Sequence, residues 1–154
     1  MGAKVKNPRK KFLWSIMFPK HSINTYLFQS CTLPDIEIDQ VAHGDVNRDV
    51  KTAGRVTIGN LIVEKLMTTA GSDTWLHDWL YACQDHIVGG GLVPSQYWET
   101  AIVNELAEDG VSVLNTHVFE EVWPCKITGL DLDRMASENT IESIEFSVGT
   151  ADKY

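Results

Sequence analysis

At 154 residues, with 44% hydrophobic and 22% charged side chains, the chain is long enough for one domain with a sizeable core and too apolar to be disordered. The net charge is −8, and Lys4, Lys6, Arg9, Lys10 and Lys11 all precede the first acidic residue, which leaves −13 on residues 12–154 and argues against a general nucleic-acid-binding surface. No apolar run approaches the roughly 20 residues of a membrane span, and the run 12–18 stops at Pro19 without a cleavage site, so cytoplasmic synthesis and no membrane partner are expected.

Residues 1–11 form a basic arm, either a solvated terminus or a segment that orders on an acidic neighbouring subunit. Phe12-Leu-Trp-Ser-Ile-Met-Phe18 is aromatic and β-branched and reads as a first strand. Residues 27–41 read as a second extended region. There, Asp35-Ile-Glu-Ile-Asp39 alternates, so a pleated strand puts Ile36 and Ile38 on a buried face and Asp35, Glu37 and Asp39 on an exposed acidic one. Residues 42–54, with His43, Gly44, Asp45, Asn47, Arg48, Asp49, Lys51 and Gly54, are polar and poor in core residues. They exceed a hairpin turn of about 2–5 residues and read as a long functional or mobile loop. Residues 55–65 return as strand, with Val56 and Ile58 in one phase and Leu61 and Val63 in the other. Gly59-Asn60 at the switch predicts a β-bulge.

Trp75, Leu76, Trp79, Leu80, Cys83 and Ile87 recur at spacings of three and four and predict a helix over residues 73–88. Ser72 is placed to cap it, Asp73 favours the positive end of its dipole, and Gly89-Gly90-Gly91 ends it. Residues 98–106 and 111–122 read as strands joined through Asp109-Gly110. A strand ends on Trp123-Pro124; residues 127–132 and 140–148 then pair across residues 133–139. The expectation is a mainly β domain with one covering helix.

Chemistry is sparse. The three glycines lack the Lys-Ser/Thr of a phosphate loop and end a helix instead of opening one. His77 is poorly spaced from Cys83 and His86, which alone give two ligands, short of the four of a structural zinc site. Glu120 and Glu121 should point to opposite faces of a strand, a poor acid–base pair, and His21, His43 and His117 are isolated. No catalytic residue, metal or cofactor is expected. Cys31, Cys83 and Cys125 are odd in number and widely spaced; reduced, mostly buried thiols are expected, with inter-subunit disulfides as the alternative.

Three stretches resemble the tail tube proteins of contractile-tailed bacteriophages. They are Cys31-Thr-Leu-Pro-Asp-Ile-Glu-Ile, with Leu33 at the family's leucine; Ala53-Gly-Arg-Val-Thr-Ile-Gly-Asn-Leu-Ile-Val-Glu-Lys, leading to the helix of Trp75 and Trp79; and Phe119 through Val122-Trp123-Pro124-Cys-Lys-Ile-Thr-Gly-Leu-Asp-Leu-Asp. Thr32 stands where glycine is usual, Ala53 where proline is common and Cys125 where an aliphatic residue is common. The resemblance spans residues 12–150, leaving residues 151–154 as a C-terminal tail. It implies a β-sandwich or split-barrel subunit that forms hexameric rings with a continuous inner β-barrel, stacked into a tube inside the virion's tail and assembled in the host bacterial cytoplasm. It further implies that residues 42–54 clamp ring to ring. The partners implied are further copies, the tail sheath protein, the baseplate hub or tube initiator, the tape-measure protein, the tail terminator, and double-stranded DNA passing without sequence-specific binding. The acidic residues Asp35, Glu37, Asp39, Glu142 and Glu145 either form a solvated sheet face or line the lumen and repel DNA. The inner tube of a phage-derived injection machine or type VI secretion system is a close variant. A monomeric small-ligand-binding β-barrel is the reading from another class.

Overall fold

The computed structural model describes residues 8–20, 28–67 and 74–154; the expected cap at Ser72 and Asp73, His21 and residues 1–7 of the arm lie outside them. The strands are β1 (Trp14–Met17), β2 (Phe28–Thr32), β3 (Ile36–Gly44), β4 (Asp49–Ile58), β5 (Leu61–Leu66), β6 (Glu99–Leu106), β7 (Val113–Ile127), β8 (Ile141–Ser147) and β9 (Thr150–Lys153). Two helices, α1 (Trp75–Cys83) and α2 (Pro94–Tyr97), lie between β5 and β6. One antiparallel sheet runs in the order β1-β6-β7-β8-β5-β2, with β9 also on β7, and a separate two-stranded sheet is formed by β3 and β4.

The long sheet curls because β7 bends. Its residues 113–122 pair with β6 and its residues 123–127 with β8. An extra residue interrupts each ladder: Glu121 adopts φ 56° and Cys125 slips in between the Pro124↔Phe146 and Lys126↔Glu145 pairs. Such bulges bend a strand and increase its twist. Pro124, which has no amide to donate, sits at the second of them. Trp123-Pro124 therefore does not end a strand as expected; the chain runs through it. Both Glu120 and Glu121 are exposed, since the first bulge breaks the alternation.

Curling brings the sheet's two ends together. Phe18, following β1, lies with its ring 6.3 Å from Phe28 of β2 and 5.3 Å from Phe146 of β8. Helix α1 closes the open side, with Leu76 and Trp79 buried, Trp75 edge-on to Phe18 at 5.7 Å and the Trp79 indole donating to the Tyr97 carbonyl at 2.8 Å. Ile16, Leu61, Val63, Ala101, Val103, Phe119, Val122 and Ile144 complete the core, and Leu33 and Trp123 pack at its margin. The result is the split-barrel form expected of the sequence, its interior filled by these side chains.

Five elements differ from expectation. The helix stops at Cys83 because the Asp85 carboxylate takes the amides of Ile87 and Val88 at 2.8 and 3.3 Å, offering the backbone an alternative to another helical turn. Ile87 and Val88 are consequently 79% and 84% exposed and form no part of the apolar stripe. Gly91 passes so close to the Cys83 carbonyl that a side chain there would collide with it. Gly59-Asn60 is a crossover between two sheets and not a bulge, held by the Gly59 amide on the Asp35 carbonyl at 2.8 Å. Of residues 127–132 only Ile127 is strand, and residues 150–153, read as part of the domain's end and its tail, pair with His117–Glu120 of β7. The short α2 was not anticipated.

Candidate assembly surfaces

The exceptional feature is β3–β4. Residues 42–54 are not an irregular loop: His43, Gly44, Asp49, Lys51 and Gly54 lie in the two strands, and Asp45, Asn47 and Arg48 in the turn, closed by the Asp45 amide on the Arg48 carbonyl at 2.8 Å. The ribbon pairs with no other described strand, and residues 36–57 are exposed throughout. Ile36 and Ile38 therefore have no buried face: they are 60% and 53% exposed, with Val56 beside them at 58%.

The register shows where the apolar surface lies. Ile36 faces Ile58 and Ile38 faces Val56, on one side of the ribbon near its root. Glu37, Asp39 and Thr57 take the other side. Opposite Asp39, Gly54 and Arg55 form a bulge in β4, where a side chain at Gly54 would press on the Asp39 carbonyl at 3.0 Å. Toward the tip Val41, His43, Val50 and Thr52 share the side that carries the acids at the root. A lone two-stranded hairpin is marginal in water, and one that exposes aliphatic residues on both sides has surface awaiting cover.

The second surface is the outward face of β2-β5-β8 and the end of β7. Register places Ser30, Glu64 and Ser143 in one row and Thr32, Ile62, Glu145 and Lys126 in the next. Glu145 belongs to this polar face. Glu142 does not: it lies three residues away, on the core side, 2% exposed, with Oε2 3.3 Å from His77 Nε2. Its assignment to an acidic solvent face is thus corrected by its own strand's alternation.

The third surface surrounds the root of the basic arm. Arg9 Nη1 lies 2.6 Å from Glu105 Oε2, which also accepts from Asn115 Nδ2 at 2.9 Å, while His117 Nε2 is 3.4 Å from Oε1. These contacts, the Asn115 amide foremost, with His117 and Arg9, hold the Glu105 carboxyl below the usual range. Arg9 is anchored on its own chain, not left to fray.

Among the described residues no group of three or more His, Cys, Asp and Glu side chains could hold a metal. The cysteines are free; Cys31 and Cys83 are half-buried, whereas Cys125 is exposed, turned outward by its bulge, contrary to the expectation of mostly buried thiols. Burial pushes Cys31 up to about 12 and, with Glu99 nearby, Cys83 up to about 11, so neither is a ready nucleophile at neutral pH.

Comparison with known proteins adds the following. The family described as T4-like virus tail tube protein gp19 matches residues 10–150. The tail tube protein gp19 of Enterobacteria phage T4 is 27% identical over 127 residues, 80% of this chain and 77% of that one. Among solved structures, the tube-terminating cap of the anti-feeding prophage superposes with a TM-score of 0.82 at 16% identity, over 100% of this chain and 95% of that one. The sheath–tube complex of an extracellular contractile injection system, PVC, gives 0.79 at 17% identity, over 97% and 93%. At such identities the likeness is one of fold.

Proposed function

The chain belongs to the T4-like virus tail tube protein family, and we propose that its copies close into hexameric rings that stack as the inner tube of a contractile tail. The observation carrying the proposal is the β3–β4 ribbon, a long hairpin with exposed aliphatic side chains that one copy alone cannot cover. Neighbouring copies cover it and extend the open ends of the curled sheet, as closure removes edges in any barrel. The role is structural, without a catalytic step. The chain's place is the virion tail, with assembly in the host cytoplasm.

In this arrangement the sheath protein lies outside, the baseplate hub and terminator meet the two ends, and tape-measure protein and then double-stranded DNA pass within. The injection-system tubes with the same fold support the sheath, baseplate and terminator contacts by analogy. Negative-stain microscopy of the purified chain tests the proposal: rings or rods are expected, and a protein that stays monomeric at high concentration overturns it.

The outward face of β2-β5-β8, its opposite side committed to the core, becomes the lumen wall. Glu64 and Glu145 keep it from attracting DNA, within about 8 Å at physiological salt. The double substitution Glu64→Lys and Glu145→Lys leaves tubes intact and slows DNA passage roughly several-fold, because each added cation on the duplex releases counterions and holds the strand. Single-particle ejection kinetics measure this, with the delay shrinking as salt rises. Unaltered kinetics would place another face in the lumen.

A further inference from the structure

The root of the basic arm shapes a groove of about 250 Å³ whose floor is apolar, from Trp14, Leu33, Val103 and Leu106, and whose rim carries Lys10 and Lys11. The rim is fixed in place: Arg9 is bound to Glu105, and the Leu13 amide donates to the Lys10 carbonyl at 3.3 Å. The β3–β4 ribbon, which begins at Ile36 just past Leu33, presents the complementary surface, Ile36 and Ile38 on one side with Glu37 and Asp39 on the other.

We infer that the groove of one copy receives the ribbon root of the next, Ile36 and Ile38 lying on the apolar floor while Lys10 and Lys11 reach past the free edge of β3 to Glu37 and Asp39. Lysine stems suit this, covering apolar surface with their methylenes while the ammonium meets the carboxylate. Groove and ribbon are different parts of the molecule, so the contact is heterologous. Repeated head to tail, such a contact gives a ring or a filament. It moves Glu37 and Asp39 from the wall of the conduit to the joint between subunits, and it rests on the tube reading only for the ring's closure.

Two full-length variants test it. Lys10→Glu/Lys11→Glu makes rim and ribbon both acidic, and Glu37→Lys/Asp39→Lys makes both basic. Each alone juxtaposes like charges at the joint and is expected to raise the critical concentration for assembly roughly a hundredfold. Mixed, the two satisfy every joint by alternating, and the mixture is expected to assemble near the wild-type concentration at low salt. All four positions are exposed, so each variant keeps the wild-type melting profile. Either variant assembling alone like wild type, or a mixture that stays apart, overturns the joint. The wild type scores the tube separately: rods from wild type with a silent mixture reject the joint alone. A wild type that forms no rods, with a mixture that pairs in light scattering, rejects the tube alone.

Discussion

Replacing residues 42–51 with Asn-Gly is expected to leave every subunit folded and to abolish stacking. Val41 and Thr52 are register partners, so a two-residue turn joins them without shifting the rest of the ribbon. The segment removed contributes nothing to the core: Val46 is 92% exposed, Val50 41%, and β3–β4 pairs with no other described strand. Unfolding of the isolated subunit should therefore change by no more than about 1 kcal/mol. Assembly is different. Each apolar side chain that a neighbouring ring covers is worth about 1.5–3 kcal/mol, so losing Val46 and Val50 from every joint raises the critical concentration by more than about a hundredfold. Denaturant titration reads the first quantity and sedimentation reads the second. Rods at wild-type density from the shortened chain would remove the tip from the inter-ring contact, while leaving the root contact with Lys10 and Lys11 standing.

The parts of the fold legible in the sequence are those where one face meets a core. Leu61, Val63, Ile144 and Phe146 alternate because β5 and β8 each bury one side, and Trp75, Leu76 and Trp79 recur helically because α1 covers the barrel's opening. The ribbon was read as a loop because neither of its sides is buried within the subunit, so no two-residue rhythm marks residues 42–54. The β-branched run Val56-Thr-Ile58 is the available signal, and further β-branched residues precede it at Val50 and Thr52. The helix's early end was masked by Ile87, which fits the stripe by spacing but sits beyond Asp85, whose carboxylate diverts the backbone. Phase along β8 separates the two acids, Glu142 and Glu145. Glu142 is in step with Ile144 and Phe146, whereas Glu145 is out of step with both.

That buried acid supports the second large effect. Lys65 and Glu142 are register partners on the core face of β5 and β8, 1% and 2% exposed, in line with Leu61, Val63, Ile144 and Phe146. Side chains directly opposite on antiparallel strands are neighbours, and the Glu142 carboxylate also lies 3.3 Å from His77 Nε2. Lys65→Met is expected to cost about 3–5 kcal/mol, since it removes a buried cation directly opposite a buried carboxylate. Glu142→Leu removes the opposite charge and is expected to have a similar cost. The double variant should recover most of the loss, because an apolar pair of comparable volume carries no charge to desolvate. A double-mutant cycle measured by denaturant unfolding should yield a coupling of at least about 2 kcal/mol. Costs that simply add would show that the two charges are balanced separately, by His77 for the acid and by other groups for the lysine. The double variant also separates fold from conduit. If Glu142 serves only the packing of β8 under α1, tubes of this variant pass DNA at the wild-type rate, whereas a lumen role for that carboxylate predicts a change that restored stability cannot hide.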